Sequence, residues 1–210
     1  MGFYATDVNL IELLMRVYSD PVPAGVLDTV YLFGETEDNQ KSVLDRGAEL
    51  YHTSTVKTVS ILAQGPITGY PGFTAWTGRL VARGVPAHKI IGIPRGDVSH
   101  THTEAIGIVR WAKKEEWKNI YVTAPPHHQF RAFINTVSIA LAEYPELHIY
   151  SMPGAHLNWL TDVVHSQGVV RGQRREHVGQ EWQRIITYHA KGDLASVEKV
   201  LLYLNERDRT

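Results

Sequence analysis

One stretch of the chain concentrates residues able to move a proton and hold an anion: Val122-Thr-Ala-Pro-Pro-His-His-Gln-Phe-Arg-Ala132. An apolar run leads into two prolines, two histidines and an arginine. Imidazole titrates near neutral pH, so His127 or His128 suits general acid–base work. Arg131 offers a planar fork for a phosphate or carboxylate; its structural alternative is a salt bridge on a helix face. These residues leave open whether both histidines are needed. A second stretch, Ser99-His-Thr-His-Thr-Glu-Ala105, precedes a helical pattern. Thr103 suits the N-cap, or Thr101 and Glu104 a capping box. At a ligand edge Glu104 would instead be a base or a ligand-orienting carboxylate. Were this stretch extended, His100, His102 and Glu104 would share one side and suit a metal, but a helix beginning at Thr103 breaks that alternation. Gly34 and Gly65 each close an apolar run. They are either plain turn residues or the places where backbone N–H groups reach a phosphate, with Glu35 or Glu37 beside the first as a ribose-binding carboxylate.

These stretches need elements to position them. Thr29–Phe33, Thr58–Ala63, Lys89–Ile93, Asn119–Thr123 and Leu147–Met152 are short, apolar and β-rich. Helical patterns alternate with them over Lys41–Tyr51, Phe73–Arg83, Thr103–Lys118 and Gln129–Glu143. Gly84 and Pro86 supply the stop signal for the second of these helices. Such alternation predicts an α/β fold, a Rossmann-like three-layer sandwich with a mainly parallel sheet of about five strands and helices on both faces. In such sheets ligands bind outside the carboxyl ends of the strands, where Gly34-Glu35-Thr36-Glu37, Gln64-Gly65-Pro66, Pro94-Arg95-Gly96-Asp97, Ala124–Arg131 and Pro153-Gly154 fall. An N-terminal amphipathic helix is expected, capped by Thr6 or Asp7, with Val8, Ile11, Leu14, Met15 and Tyr18 on one face. The tail reads as a mixed segment, Pro153–Gly172, and two helices, Val178–Lys191 and an Asp193-capped Leu194–Arg207. The whole, 1–210, is expected to be one domain: helix and link 1–27, core 28–154, and a helical extension 155–210 packing on the core.

Composition narrows the function classes. The 210 residues are 43% hydrophobic and 20% charged, a globular balance that excludes a mostly disordered chain. No cysteine is present, so disulfides, thiolate zinc sites and thiol nucleophiles are excluded. That fits a cytoplasmic location. A formal net charge of −1 supplies no field for nucleic acid or an anionic membrane, and neither is expected as a partner. The longest uncharged stretch, Thr58–Gly78, is broken by glycines and prolines, so no membrane span is expected. The eleven histidines are the one compositional hint of chemistry. Neither a GxGxxG fingerprint after the first strand nor a GxSxG elbow occurs, which disfavours a standard dinucleotide site and an α/β-hydrolase mechanism.

From Asp28 to Tyr150 the chain resembles the YdcF/SanA-like proteins, a bacterial family with a Rossmann-like fold. The likeness rests on a strand ending in Gly34, Arg46 in the next helix, a strand ending in Gly65, Gly84-Val85-Pro86, Thr103-Glu104-Ala105, and Val122-Thr123 followed by His and Arg-Ala. The family's spacing of three residues from His to Arg selects His128 with Arg131, leaving His127 as the neighbour. The chain departs from the pattern by one extra residue before that His, by lacking a second glycine after Gly65, and by lacking an acidic residue early in the helix at Phe73. The resemblance implies a pocket at the sheet edge for a nucleotide-like or phosphorylated ligand.

Three functions are thus in competition. One is an enzyme acting on a phosphorylated or nucleotide-linked small molecule by hydrolysis or group transfer. It would use Glu104 and His128 as catalytic groups, with Gly34, Glu35, Gly65, Thr103, His127 and Arg131 binding an anionic ligand and Arg171, Arg174, Arg175 and His177 able to clamp it. The second is a non-catalytic binder of S-adenosylmethionine or another nucleotide, needing the glycines and Glu35 or Glu37 but no acid–base pair. The third is a metal-dependent hydrolase built on His100, His102, His127 or His128.

Overall fold

The structure, a computed structural model, describes residues 5–94, 101–165 and 170–209, and the side chains from residue 8 onward within the first helix. Five parallel strands form the central sheet in the order β3-β2-β1-β4-β5. They are β1 (Thr29–Leu32), β2 (Val59–Leu62), β3 (Ile90–Ile93), β4 (Asn119–Thr123) and β5 (His148–Ser151). Val30 pairs with Val59 on one side of β1 and with Tyr121 on the other.

Strand residues alternate between two apolar layers because successive side chains point to opposite faces. Val30 and Leu32 join α2 (Gln40–His52) and α3 (Phe73–Val81). Tyr31 and Phe33 join α1 (Ala5–Tyr18), α4 (Thr101–Lys114), α5 (Pro126–Glu143) and α7 (Val197–Arg207). The expected Rossmann-like three-layer α/β sandwich is therefore present. At Gly47 a Cβ would lie 2.7 Å from Leu32 Cδ1, so glycine is what lets α2 pack this closely on β1. Gly84 closes α3 with φ +86°, as the stop signal predicts.

Several local expectations need correction. Helix α1 buries Leu13 (0% exposed) and Val17 (1%) with Leu10 and Leu14 against the core, while Ile11 (45%) and Met15 (66%) face outward. Both rows satisfy helical spacing, so periodicity cannot choose between them; packing against α5 and α7 does. Helix α5 begins at Pro126, three residues before Gln129, because a proline at the first helical position loses no hydrogen bond and already has helical φ. Helix α4 begins at Thr101, so Thr103 lies inside the first turn rather than capping it. Helix α7 is capped by Ser196, whose hydroxyl accepts from the Lys199 N–H, and not by Asp193.

The tail contains an antiparallel hairpin that the mixed segment concealed: β6 (Asp162–His165) and β7 (Val170–Gln173), followed by α6 (His177–Ala190). It packs back on the sheet. The Tyr203 hydroxyl of α7 accepts from the Ile149 N–H at 2.7 Å and donates to Leu147 O at 2.8 Å, satisfying backbone groups of the edge strand β5. Buried Arg207 donates to Asp20 and to Ile149 O beside it. No described helix is long and apolar enough to cross a membrane.

Candidate active site

The chain reverses its direction of travel across the sheet between β1 and β4, and the loops leaving these two strands diverge to opposite faces. Such a switch point opens a crevice at the carboxyl end of the sheet. After β4 the two prolines start α5 at once, which holds both histidines in the first helical turn. Gln129 fixes that turn to the strand. Its Oε1 accepts from the Ala124 N–H, and its Nε2 donates to Val122 O at 3.0 Å and Ser151 Oγ at 2.9 Å.

A cavity of about 250 Å³ fills the crevice. Strand β1 and its loop contribute Gly34, Glu35 and Thr36; α4 contributes Thr101 and Glu104; α5 contributes His128 and Arg131. His128 is bonded at both ring nitrogens. Nδ1 lies 2.7 Å from Glu35 Oε1, and Nε2 lies 3.0 Å from Thr101 Oγ1. All three residues are buried. Glu104 accepts at Oε2 from the Gly34 N–H and from the Tyr31 hydroxyl, each at 2.9 Å.

The tail closes the other side through His165, Arg184 and Tyr188. Glu181 of α6 is the hub of this wall. It accepts from Arg131 Nε and Arg184 Nη1, and its Oε1 lies 3.0 Å from His165 Nε2. The hairpin is held down from the β1 loop. Thr36 donates to Val164 O at 2.7 Å, and the Val164 N–H donates to Asp38 at 2.7 Å. Arg174 donates from Nε to Asn39 Oδ1 and from Nη1 to Asn158 O.

Burial sets the electrostatics. It lifts Glu35 well above the usual carboxylate range, reinforced by Glu181 and Glu104. It pushes His128 well below the ordinary imidazole value, with Arg131 adding to the effect. Burial alone would raise Glu181 too, but Arg131 foremost, with His128 and His165, holds it well below the usual range. The cavity thus has one side, at Glu35 and His128, where burial opposes charge, and another where two guanidiniums face one carboxylate.

Gly34, Glu35, Glu104, His128 and Arg131 share the cavity wall; Gly65, Thr103 and His127 do not. Pro66 follows Gly65 and has no N–H to donate, and the loop turns back through the Ile67–Tyr70 bridge to present Thr68 and Tyr70 instead. Thr103 lines a separate groove with Ile106 and Arg110. His127 faces away from the cavity, its ring centroid 4.8 Å from that of His165 and 6.0 Å from that of His177. Arg131 lies in the second helical turn and meets an internal carboxylate, Glu181. The Gly34 N–H, expected to cradle phosphate, is taken by Glu104. Both ribose candidates are engaged, Glu35 by His128 and exposed Glu37 by Arg79 at 2.8 Å. Of the tail cluster, Arg174 and His177 are buried, while Arg171 and Arg175 are exposed.

Of the metal candidates, His102 Nδ1 lies 3.1 Å from Asn135 Oδ1, and His100 falls outside the described residues, as does the Arg95-Gly96-Asp97 turn. Among the described residues, no group of three or more acidic or histidine side chains has metal-holding geometry. Sequence reasoning missed Tyr31, Tyr70, His165, Glu181 and Arg184, and read Thr101 only as a capping residue. His165 and Glu181 come from the tail, where no local pattern marks them. No family model matches the chain, and a search of curated proteins finds no match either.

Proposed function

We propose that the chain is an enzyme acting on a phosphorylated or nucleotide-linked small molecule, by hydrolysis or group transfer, in the β1/β4 crevice. The observation that carries this reading is His128, bonded through Nδ1 to Glu35 and through Nε2 to Thr101 at the cavity wall. A base must be oriented before it can act, and a carboxyl group hydrogen-bonded to one nitrogen leaves the other to serve the reaction. His128 is the proton carrier of the proposed site and Glu35 the residue that positions it. Glu104 holds the β1 loop against α4 and shapes the wall.

Arg131 and Arg184 suit an anionic substrate. Each guanidinium has five N–H donors, and Glu181 takes one from each. Among the described residues no other acceptor takes a hydrogen bond from either, which leaves the remaining donors for phosphate oxygens. A 250 Å³ cavity is small for a ligand pocket, which suits a compact phosphate ester or one end of a nucleotide. The resemblance to YdcF/SanA-like proteins points to the same ligand class.

The test is a thermal-shift screen of phosphate esters, nucleotides, sugar nucleotides and S-adenosylmethionine, followed by turnover assays on each hit. A true ligand at about 100 times Kd adds roughly 2.7 kcal/mol of stability. The expected result is turnover of a phosphate-bearing hit that depends on His128. Tight binding of S-adenosylmethionine without turnover of any hit would replace this reading with that of a nucleotide binder.

A further inference from the structure

We infer that Thr101 is the nucleophile of this site, forming a covalent phosphothreonine intermediate with a phosphate ester. The inference rests on the proposed function and deepens it. It starts from the order of the contacts: Thr101 Oγ1, then His128 Nε2 at 3.0 Å, then His128 Nδ1 with Glu35 Oε1 at 2.7 Å. That is the arrangement of a hydroxyl, a base and a carboxyl group that orients the base, the constellation by which unrelated folds activate a hydroxyl.

Three further features favour reaction over mere structural support. Thr101 lines the cavity, so it stands beside a bound substrate. The residue stands at the start of α4, where the helix end favours the negative charge of an incoming phosphate. Arg131 and Arg184 line the same cavity and supply positive charge for the oxygens of the transferring group. The chain has no cysteine, so no thiol competes with the hydroxyl beside this base.

The steps balance without an added reagent other than water. His128 Nε2 takes the proton of the Thr101 hydroxyl as Oγ1 bonds to phosphorus. The bond from phosphorus to the ester oxygen breaks, and the leaving alcohol takes the proton from His128. Water then attacks the phosphothreonine, giving its proton to His128. The bond from phosphorus to Oγ1 breaks, Oγ1 recovers a proton from His128, and phosphate departs.

The experiment uses the full chain with p-nitrophenyl phosphate, acetyl phosphate and ATP as probes, acid-quenched and read by intact and peptide mass spectrometry beside turnover. The expected result is one phosphoryl group on the peptide containing Thr101 in the wild type. Thr101→Val should lose the adduct and about 10³-fold or more in kcat, as expected for a lost nucleophile. Thr101→Ser keeps the hydroxyl, so it should retain the adduct and stay within about tenfold of wild-type kcat; this also shows that position 101 tolerates change. Turnover that survives Thr101→Val but falls with His128→Ala overturns the nucleophile and leaves the proposed function standing, with water attacking directly. Turnover without any adduct at Thr101 has the same meaning. No turnover by the wild type of any probe or of any hit from the ligand screen overturns both readings.

Discussion

His127 and His128 are neighbours in the chain and occupy opposite situations. One helical residue of rotation, about 100°, separates their side chains. His128 turns into the crevice, where Glu35 and Thr101 satisfy both of its nitrogens. His127 turns beneath the tail. There it packs edge-on to His165 and close to His177, with no hydrogen-bond partner for either nitrogen among the described residues. Burial drives both rings toward the neutral form, and His127 falls to about 3. A buried imidazole held at both ends is placed for proton transfer. Both rings make the fold sensitive to acid, but among the described residues the merely packed one has no proton partner.

The comparison can be broken most forcefully at Glu181, which ties the tail to α5. Glu181→Ala should cost about 3–5 kcal/mol of stability, because it strands the buried Arg131 cation and frees His165 Nε2. Urea unfolding measures this, and a loss below about 1 kcal/mol would mean that the tail is held by other contacts. Next in size is His128→Ala. It should lower kcat by about 10²-fold or more, equivalent to roughly 2.7 kcal/mol, with a smaller effect on ligand binding. His127→Ala should change kcat far less. Steady-state kinetics on the two variants decide it, and equal losses would erase the distinction between the neighbours.

A pH experiment sharpens the same contrast. His127 has a folded value of about 3 against an ordinary 6.5, so the unfolded chain takes up the proton first as pH falls. Its contribution to stability is present above about pH 6.5 and is lost progressively toward pH 3. Between roughly pH 7.5 and pH 5.5 it should account for about 1.4 kcal/mol of lost stability. His127→Phe should flatten the profile by about that amount, read from urea midpoints at the two pH values. His177, also lowered by burial and by His165, contributes in the same direction.

The smallest effect separates two arginines on one carboxylate. The Arg131 side chain is 7% exposed and that of Arg184 is 28% exposed, so solvent screens the second pair more. Arg184→Ala should cost under about 1 kcal/mol in a urea melt, against several for Glu181→Ala. Arg131→Lys should weaken an anionic ligand more than its kept charge suggests, since lysine cannot reproduce the planar fork. Isothermal titration with the ligand from the screen measures that loss.

Much of the core was legible because its signals are local. Apolar β-rich runs and helical spacing mark β1 to β5 and the helices between them, and the rule for parallel sheets then points to the strand ends. Glu104, His128, Arg131, Gly34 and Glu35 were nameable because reactive residue types stand just past a strand or at a helix start. Thr101 was harder. Beside Glu104 it reads as a capping residue, and only its distance from His128 gives it another role. The buried face of α1 was misread because two rows of apolar residues fit one period.

By itself the sequence determined the strand–helix alternation, the absence of any thiol chemistry, and the residue types gathered at the sheet edge. Those follow from backbone propensity, periodicity and composition, each a property of neighbouring residues. Only the tertiary structure decided what each of those groups faces. The Gly34 N–H meets Glu104 across 70 residues of chain, His128 meets Glu35 across 93, and Arg131 meets Glu181 across 50. Such pairings depend on how the sheet is ordered and on where the tail folds back. No short-range pattern encodes either, because side chains so far apart in sequence become neighbours only when the layers pack.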